Sequence, residues 1–550
     1  MGEPPESSDD SLQQVPEGNG DNELGIRIGQ RVHAVGNTHR IGTVCFVGQL
    51  EGHQGEWVGV DWDDGAGKHD GRVSGVRYFT ARSNNSASFV RSKNLCTGMS
   101  FVEALYLRYR GESTKEEEDE MYVLSSRRRR VAVQFVGKSK IEEKLQHLGD
   151  LQVVSIPYLG VGSVNPSHEI SDVFPNIKEL NLTGNLFSRW QDINSICEAL
   201  PSLEILNLTR NLMEADIPEL PSLKNIRILV LNSCGITWEL VQRLECYLQA
   251  IEELHLMGNN LRMIMPTPSQ PGGPYVQGFD SLRLLNLEDN CIASWNEIFK
   301  LSKLRRLQQL HLNKNKLKHV FYTNTDRLSG LQNSCPKPFE NLECLLLGSN
   351  EIDDLTSIDS LNLFPKLMDI RLSENPIVDP AKGGISRFVL VACLPKVKIL
   401  NGSEISIRER KESEIRYVRY VLTKMQSANP LLVNHEYSRF EELKRLHAID
   451  EKPSAGIAGP QKMAAGLISV TLICVGASMG ERQPLEKKLP PTTTVGRLKV
   501  LCESFFNMKG VKLRLFLQEK GSPHPTLLDD DMAHLIDIGI GPEGIILVDE

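Results

Sequence analysis

A lysine set between glycines is the residue of this chain with the clearest potential chemistry. The run Gly67-Lys68-His69-Asp70-Gly71 lies in a glycine-rich stretch that also carries several aromatic residues. These are Phe46, Trp57, Trp62, Tyr78, Phe79 and Phe89. A lysine ammonium group forms charge-assisted hydrogen bonds with carboxylates, and aromatic side chains pack against a ligand's ring. This combination predicts a site that binds the acidic chain end of another protein.

The same lysine could instead belong to a phosphate-binding loop, because Gly65-Ala66-Gly67-Lys68 ends in a Gly-Lys pair. The Walker pattern requires a glycine at the position where Trp62 stands. It also requires Ser or Thr after the lysine, where this chain has His69. The sequence therefore predicts no nucleotide site at this loop.

Composition and motifs favour a binding protein with reduced cysteines and without catalytic activity. The 11 cysteines include no Cys-x-x-Cys pair, and no His cluster has zinc spacing, which is typical of reduced thiols in a cytosolic protein. We find no nucleophile, acid pair, metal set or cofactor motif in the sequence. The net charge of -8 argues against a chain that coats nucleic acid or an acidic membrane. The most membrane-like stretch, Leu467 to Ala477, is far shorter than the roughly 20 residues of a spanning helix.

The region 24–96 has the pattern of a small all-β barrel. Short β-branched and aromatic runs, Arg31 to Val35, Ile41 to Val47 and Trp57 to Trp62, each end at a glycine or a polar turn. Glycines let the backbone turn sharply and approach a ligand closely. A small barrel with a shallow groove is the predicted result.

Several short glycine-containing or aromatic motifs lie in this barrel region. They are Gly42-Thr43-Val44, Phe46-Val47-Gly48, Trp57-Val58-Gly59-Val60, the 67–71 run, Gly75, Tyr78-Phe79 and Phe89-Val90. Together they resemble the CAP-Gly domain family, which implies binding of C-terminal tails ending in Glu-Glu-Tyr or Glu-Glu-Phe, as in α-tubulin. The resemblance assigns tail binding to Phe46, Trp57, Trp62, Gly67, Lys68, His69, Asp70, Gly71, Phe79 and Phe89. The family usually has Asn in place of His69 and often Phe in place of Gly52, so a shallower groove and weaker tail binding are expected.

Residues 151–402 repeat the pattern apolar-x-x-Leu-x-Leu-x-x-Asn, which is typical of leucine-rich repeats. The central residues of eight copies are Leu180, Leu206, Leu229, Leu254, Leu285, Leu310, Leu345 and Ile370. The pattern predicts an α/β solenoid with one short strand per repeat, in which Asn, or Cys234 in one copy, hydrogen-bonds the turn. Longer spacings predict loops at 266–278 and 319–338. The segment Leu394 to Gly402 resembles a C-terminal cap.

The residue between each pair of leucines is predicted to point outward on the concave face. Candidate contact residues there are Asn181, Asn207, His255, Asn286, His311 and Arg371, with Val230 and Leu346 in the same line. His255 and His311 are two repeats apart and have no evident carboxylate or Cys partner. They are therefore interpreted as surface contacts, without a metal or catalytic role.

The remaining segments are predicted as follows. Residues 1–23 form a disordered acidic tail, 97–150 a charged linker, and 403–464 a helical segment and linker. Residues 465–550 alternate strands with one helix, and Pro491 to Lys499 resembles the start of the helix in ubiquitin-like domains, with a threonine as N-cap. The chain ends Leu-Val-Asp-Glu without Gly-Gly, so this α+β domain is expected to bind partners without being conjugated.

The order CAP-Gly, leucine-rich repeats and ubiquitin-like domain resembles the tubulin-folding cofactor E family. The resemblance implies a cytoplasmic, cytoskeleton-associated chaperone that binds α-tubulin and acts with cofactors B, C and D in assembly and dissociation of the αβ heterodimer. Two alternatives stay open. One is a scaffold at microtubule plus ends, and the other is an adaptor that delivers tubulin to proteasome or ubiquitin receptors through the C-terminal domain.

Overall fold

The structure, a computed structural model, describes part of the chain in two compact units, one within residues 1–449 and one within 450–550. The described residues are 25–110, 122–124, 130–132, 147–217, 223–265, 275–322, 337–379, 382, 384–427, 439–447, 467–475, 483–490, 493–506, 513–518, 525–528, 531, 535 and 544–549. The predicted acidic tail, most of the predicted charged linker and most of the two predicted loops lie outside these ranges.

The first domain is an antiparallel sheet in the order β6-β3-β2-β1-β7, with a separate β4-β5 hairpin. Strands β1 to β7 are Arg31–Ala34, Asn37–Leu50, His53–Trp62, Arg72–Val73, Val76–Arg77, Ala87–Val90 and Leu95–Cys96. Because side chains alternate along a strand, β3 turns Val58, Val60 and Trp62 into the core and turns Trp57 and Gly59 to the other face. The core face holds the barrel together, and the other face carries the candidate site.

Eleven short strands form the sheet of the solenoid. Strands β11 and β13 to β22 are Val153–Ser155, Glu179–Asn181, Ile205–Asn207, Ile228–Val230, Glu253–His255, Leu284–Asn286, Gln309–His311, Cys344–Leu346, Asp369–Arg371, Ile399–Leu400 and Ser403–Glu404. The eight predicted central residues are the buried middle residues of β13 to β20 and stand opposite one another in parallel register. The leucine-rich repeat prediction is therefore confirmed. The pattern missed one earlier repeat, in which Val154 of β11 stands opposite Leu180.

A ladder of buried amides closes the turns of the solenoid. The Asn211 Nδ2 group donates to the carbonyls of Leu182 and Leu208 at 2.9 and 3.0 Å, and its Oδ1 accepts from the Phe187 N–H of the preceding repeat at 3.3 Å. Where Cys234 replaces Asn, burial raises the pKa of the thiol to about 12, and its Sγ donates to the Leu208 carbonyl at 3.0 Å. The residue before each ladder position has positive φ, as at Arg210 and Lys314.

Helices complete the first unit. Helices α1 to α9 are Phe101–Arg110, Ser167–Val173, Trp190–Ala199, Trp238–Glu245, Trp295–Phe299, Leu355–Leu361, Arg387–Cys393, Ile407–Ser427 and Phe440–Leu446. Two arginines bind carbonyls at the end of α7: Arg410 of α8 donates to Val391 and Leu394 at 3.0 and 3.1 Å, and Arg439 donates to Ala392. The helices α8 and α9 thus seal the C-terminal end of the solenoid core.

Residues 99–110 lie inside the predicted charged linker but are part of the solenoid. Strand β8 (Met99–Ser100) pairs in parallel with β12 (Val161–Ser163), and α1 buries Phe101, Ala104 and Leu105 in the solenoid core. Buried positions three and four residues apart make one apolar helix face. The charged residues between them concealed this face in the sequence, and the linker prediction is wrong for this segment.

The barrel joins the first repeat with almost no side chains between the two backbones. The Met99 N–H donates to the Gly160 carbonyl at 3.0 Å. A Cβ atom at Gly98 would overlap that carbonyl, and one at Gly160 would lie 2.7 Å from the Nε2 atom of His33. Glycine permits this close approach, because any other residue would separate the backbones.

Aromatic contacts add to this joint. The ring of His39, in β2, stacks on Tyr158 of the first repeat with centroids 4.1 Å apart. The Tyr158 hydroxyl accepts a hydrogen bond of 2.9 Å from the Nη1 atom of Arg210. The barrel is consequently fixed to the solenoid through backbone pairing and a stacked ring pair, without a long tether.

The second unit contains one mixed sheet and one described helix. Strands β23 to β27 are Ile468–Cys474, Leu485–Leu489, Arg514–Gln518, Thr526–Leu528 and Gly544–Asp549, and α10 is Val495–Phe505. The order β24-β23-β27-β25-β26, with β23 parallel to β27, is that of a ubiquitin-like fold. Thr494 caps α10 by accepting from the Arg497 N–H, as predicted. The sequence did not predict β26. Of the described helices in the whole chain, none is long and apolar enough to cross a membrane.

Replacing a ladder amide should destabilise the solenoid far more than replacing a surface amide of a neighbouring repeat. In Asn315→Ala the buried Ile292 N–H loses its acceptor, and the Leu287 and Leu312 carbonyls each lose one of two amide donors, so we expect a loss of about 2–3 kcal/mol in the free energy of unfolding. Asn286→Ala removes one half-exposed hydrogen bond, to the Glu288 N–H, and should cost about 1 kcal/mol or less. Urea unfolding followed by circular dichroism measures both; equal losses would contradict the role of the ladder.

Candidate functional site

The floor of the candidate groove is a glycine with a phenylalanine on each side. Gly59 of β3 stands opposite Phe46 of β2 and opposite Phe89 of β6. A Cβ atom at Gly59 would overlap the ring of Phe79. The Phe79 ring therefore lies directly on the backbone of β3, and three phenylalanine rings surround this point.

Four aromatic rings form a continuous, half-buried cluster above this floor. Ring centroids are 5.4 Å apart for Phe79 and Phe89, 5.0 Å for Phe46 and Tyr78, and 5.7 Å for Tyr78 and Phe89, all in edge-to-face geometry. The Tyr78 hydroxyl accepts from the Glu51 N–H at 2.8 Å, which fixes this ring to the turn between β2 and β3. Such a surface suits an incoming aromatic side chain.

The 67–71 loop lies against the backbone of β6. The N–H groups of Lys68 and His69 both donate to the Ala87 carbonyl, at 2.6 and 2.9 Å, and the Ala87 N–H donates to the His69 carbonyl at 2.9 Å. A Cβ atom at Gly67 would overlap this carbonyl. These contacts hold the Lys68 side chain out into solvent, and within the described residues its ammonium group has no ion-pair partner.

Asp70 does not neutralise the neighbouring lysine. Its carboxylate pairs with Arg77 at 3.1 Å and with Arg72 at 3.8 Å, and it accepts from the Arg72 N–H. Partial desolvation acts to raise the pKa of Asp70, but the Arg72 N–H and the two guanidinium charges outweigh it and lower the pKa. The charge of Asp70 is thus directed to the arginines, and Lys68 stays available for a ligand.

His69 brings a second polar group to the aromatic cluster. Its imidazole lies 6.2 Å from the Phe89 ring, between centroids, and its backbone is fixed on both sides by Ala87. The loop therefore carries an exposed lysine directly before a histidine whose imidazole lies near the aromatic cluster. Two adjacent donors match the carboxylates of an acidic chain end.

Comparison with known proteins agrees with this geometry. The CAP-Gly domain family matches residues 28–95. A protein from Arabidopsis thaliana named tubulin-folding cofactor E is 54% identical over 525 residues, which are 95% of this chain and 98% of the relative. The chain belongs to the tubulin-folding cofactor E family.

One further relative and one solved structure also match this chain. Tubulin-specific chaperone E of Danio rerio is 29% identical over 92% of this chain and 96% of its own length. Among solved structures, the C-terminal ubiquitin-like domain of mouse tubulin-specific chaperone E matches with 25% identity and a TM-score of 0.15. That match covers 16% of this chain and 93% of the mouse domain.

The two tryptophans that were predicted to bind the tail lie on opposite faces of β3 in this family member. Trp57 lies on the groove face of β3, and the Arg91 guanidinium carbon is 3.9 Å from its ring centroid. Trp62 lies on the opposite face and is 2% exposed in the barrel core, so the prediction that it contacts a ligand is wrong. The two residues are five positions apart, and an odd separation places side chains on opposite faces of a strand. The residues assigned to tail binding by the family resemblance did not include Gly59 or Tyr78, although Tyr78 is among the aromatic residues of the predicted site.

Gly52 occupies the turn between β2 and β3 with a φ of +77° and an open surface around it. A phenylalanine at this position would be strained, because L-residues rarely adopt positive φ. Position 52 therefore contributes no aromatic ring to the groove, and the ring fixed to this turn is that of Tyr78. Weaker tail binding as a result stays a prediction.

The predicted contact residues of the concave face do lie in one line. Register pairing places Asn181, Asn207, Val230, His255, Asn286, His311, Leu346 and Arg371 on consecutive strands. One expectation about this line is wrong, because His255 has a carboxylate nearby: its Nε2 atom is 3.4 Å from an oxygen of Glu253.

One group of described side chains has metal-like spacing, namely His319, Asp353 and Asp354. The carboxylate of Asp354 already accepts from the Ser357 N–H and hydroxyl, both at 2.7 Å, and from His319 at 2.9 Å. These contacts cap the N-terminus of α6. The arrangement is explained as a helix cap without an ion.

Gly71 and Gly75 both have positive φ, but only Gly71 is closely packed against other backbone. Gly71 has a φ of +95° and its Cβ would overlap the Phe79 carbonyl, whereas Gly75 has a φ of +88° and nothing within 4 Å. We expect Gly75→Ala to cost about 1 kcal/mol and Gly71→Ala about 3 kcal/mol or more, because only the substitution at Gly71 must also move the backbone of Phe79. Hydrogen exchange of residues 67–90 in the full chain measures both, and equal loss of protection would contradict the close contact at Gly71.

Proposed function

We propose that this chain is a tubulin chaperone that binds α-tubulin at two places. The groove of the CAP-Gly domain binds the acidic C-terminal tail, and the concave face of the solenoid binds the body of the subunit. The observation that carries the proposal is the exposed Lys68, which has no ion-pair partner among the described residues, in a loop beside an aromatic groove and in a chain whose relatives are named for tubulin folding.

Each part of the groove has a role in tail binding. Lys68 and His69 bind the carboxylates of the tail, and charge-assisted hydrogen bonds of this kind contribute about 1.5–3 kcal/mol. The terminal aromatic ring of the tail packs against Phe46, Phe79 and Phe89, which adds about 0.5–1.5 kcal/mol beyond area burial. A tail of this chemistry would bind with modest affinity by itself.

The solenoid supplies the second and larger contact. Its proposed contact residues are Asn181, Asn207, His255, Asn286, His311 and Arg371. The two contacts act together because the domains are joined directly at Gly98 and Gly160. A fixed joint spares the ordering cost that a flexible tether would impose when the second contact forms.

In the proposed cycle the chain takes up α-tubulin, joins cofactor D that carries β-tubulin, and releases the heterodimer with cofactor C. With cofactor B, the same two contacts would separate existing heterodimers. The proposed location is the cytoplasm, in association with the cytoskeleton. The ubiquitin-like unit would bind a further protein partner.

Lys68→Ala tests the tail contact. We expect about tenfold weaker binding of a peptide ending in Glu-Glu-Tyr, because the main cationic partner of the carboxylates is lost. Fluorescence anisotropy with the full chain measures the affinity. Lys93→Ala is the matched control, since Lys93 is an exposed lysine of the same domain in the turn before β7. Equal affinities of the two variants would remove Lys68 from the site.

The joint can be tested separately. Gly160→Val adds a side chain against the His33 ring at a φ of +71° and should loosen the barrel from the solenoid. We expect unchanged affinity for the tail peptide but about tenfold weaker capture of soluble tubulin, because the second contact then pays an ordering cost. Sedimentation with tubulin measures capture. Capture equal to that of the wild type, with small-angle scattering showing separated domains, would contradict the role of the joint.

A further inference from the structure

The polarity and charge of the outward residues on the concave face differ along the solenoid. On β14 and β15 three of the four outward residues, Ile205, Ile228 and Val230, are apolar and half-buried. From β16 onward polar residues predominate on this face, with Leu284, Cys344 and Leu346 between them, and carboxylates cluster around His311 of β18. The proposed binding surface thus has an apolar part beside an acidic part.

The pKa of His311 depends on its burial and on the charged groups around it. Burial of its imidazole is the largest effect and lowers the pKa, and the nearby His255 acts in the same direction. Glu288, Asp369 and Glu253 act in the opposite direction. Since the pKa is below the usual value for histidine, this ring is neutral at physiological pH and does not balance the three carboxylates.

None of the three carboxylates pairs with a lysine or arginine among the residues that the structure describes. Glu253 is 3.4 Å from His255, which is long for a hydrogen bond, and its side chain is 39% exposed. Glu288 accepts from the Asn313 amide, and Asp369 contacts the Cys344 thiol. Each carboxylate retains acceptor capacity toward solvent.

Two arginines border this acidic part. Arg371 directs its Nε–H to the Ser373 hydroxyl at 3.0 Å, and Arg283 stands before β17 at the rim of the sheet. Glu253 and Asp369 are four strands apart, a distance of about 19 Å along the sheet. One cation cannot contact both, so the surface fits a partner with more than one basic side chain.

We propose that the acidic part of the concave face, formed by Glu253, Glu288 and Asp369, binds a basic patch on the body of the captured tubulin subunit, with an apolar neighbour of that patch on Ile228 and Val230. This rests on the proposed function, in which the solenoid binds the subunit body. The carboxylates supply orientation, because a surface that lacks lysine or arginine at the matching place would leave them desolvated and unpaired. The tail groove and this surface would then select the same subunit by opposite charges.

The test combines E253Q and D369N, which remove charge with little change of shape. The control is E179Q, which removes a half-exposed carboxylate at the same strand position on β13, three strands from β16. We expect the double variant to bind soluble αβ-tubulin about tenfold more weakly than the wild type, the sum of two partly exposed ion pairs, and to lose much of the salt dependence of binding. The control should bind as the wild type does, and all variants should keep the wild-type melting temperature.

Zero-length carbodiimide coupling of the wild-type chain to tubulin gives an independent readout. We expect linked peptides that join Glu253, Glu288 or Asp369 to tubulin lysines. If the double variant binds as tightly as E179Q, or if coupling involves only carboxylates outside this surface, the inference fails. If the wild type captures no tubulin at all while its affinity for the tail peptide is intact, the proposed function of the solenoid fails instead.

Discussion

Backbone polar groups between the repeats of the solenoid are buried, and each of them needs a hydrogen-bond partner. A strand of three residues supplies only a few sheet hydrogen bonds before the chain must turn. The ladder amides satisfy the remaining carbonyl and N–H groups of two adjacent layers at once, as Asn211 does for Leu182 and Leu208. Without this ladder the strands could not stay in register, and the outward residues of the concave face would not form a line.

Glycine has a comparable role in the barrel, where backbones meet without side chains. Gly59 lets the Phe79 ring lie on β3, and Gly67 lets the loop that carries Lys68 lie on β6. Both contacts give rigid support to groups of the proposed tail-binding site. The proposed binding surface is thus formed by the packing of the scaffold, with little freedom to lose on binding.

Sequence patterns predicted the elements with strong periodicity and missed those with weak periodicity. Eight repeats followed from regular leucines, but the repeat at Val154 has no leucine at its centre and no ladder asparagine. The motif of the loop predicted Lys68 and its aromatic neighbours, yet the motif alone did not separate Trp57 from the buried Trp62. Contacts between distant segments, such as Gly98 with Gly160 or the carboxylates around His311, depend on register and backbone approach that no local pattern encodes.

The pairing of β8 with β12 places the barrel at the first end of the repeat array. Repeat proteins need a seal at each end, because the first repeat would otherwise expose its core to water. Here the chain that leaves the barrel provides that seal through Phe101 and Leu105. The segment that links recognition to the solenoid is therefore also a terminal cap. A truncated chain that begins at residue 151 would expose the core that Phe101 and Leu105 cover and would also lack the proposed tail groove, so single substitutions in the groove are needed to separate the two effects.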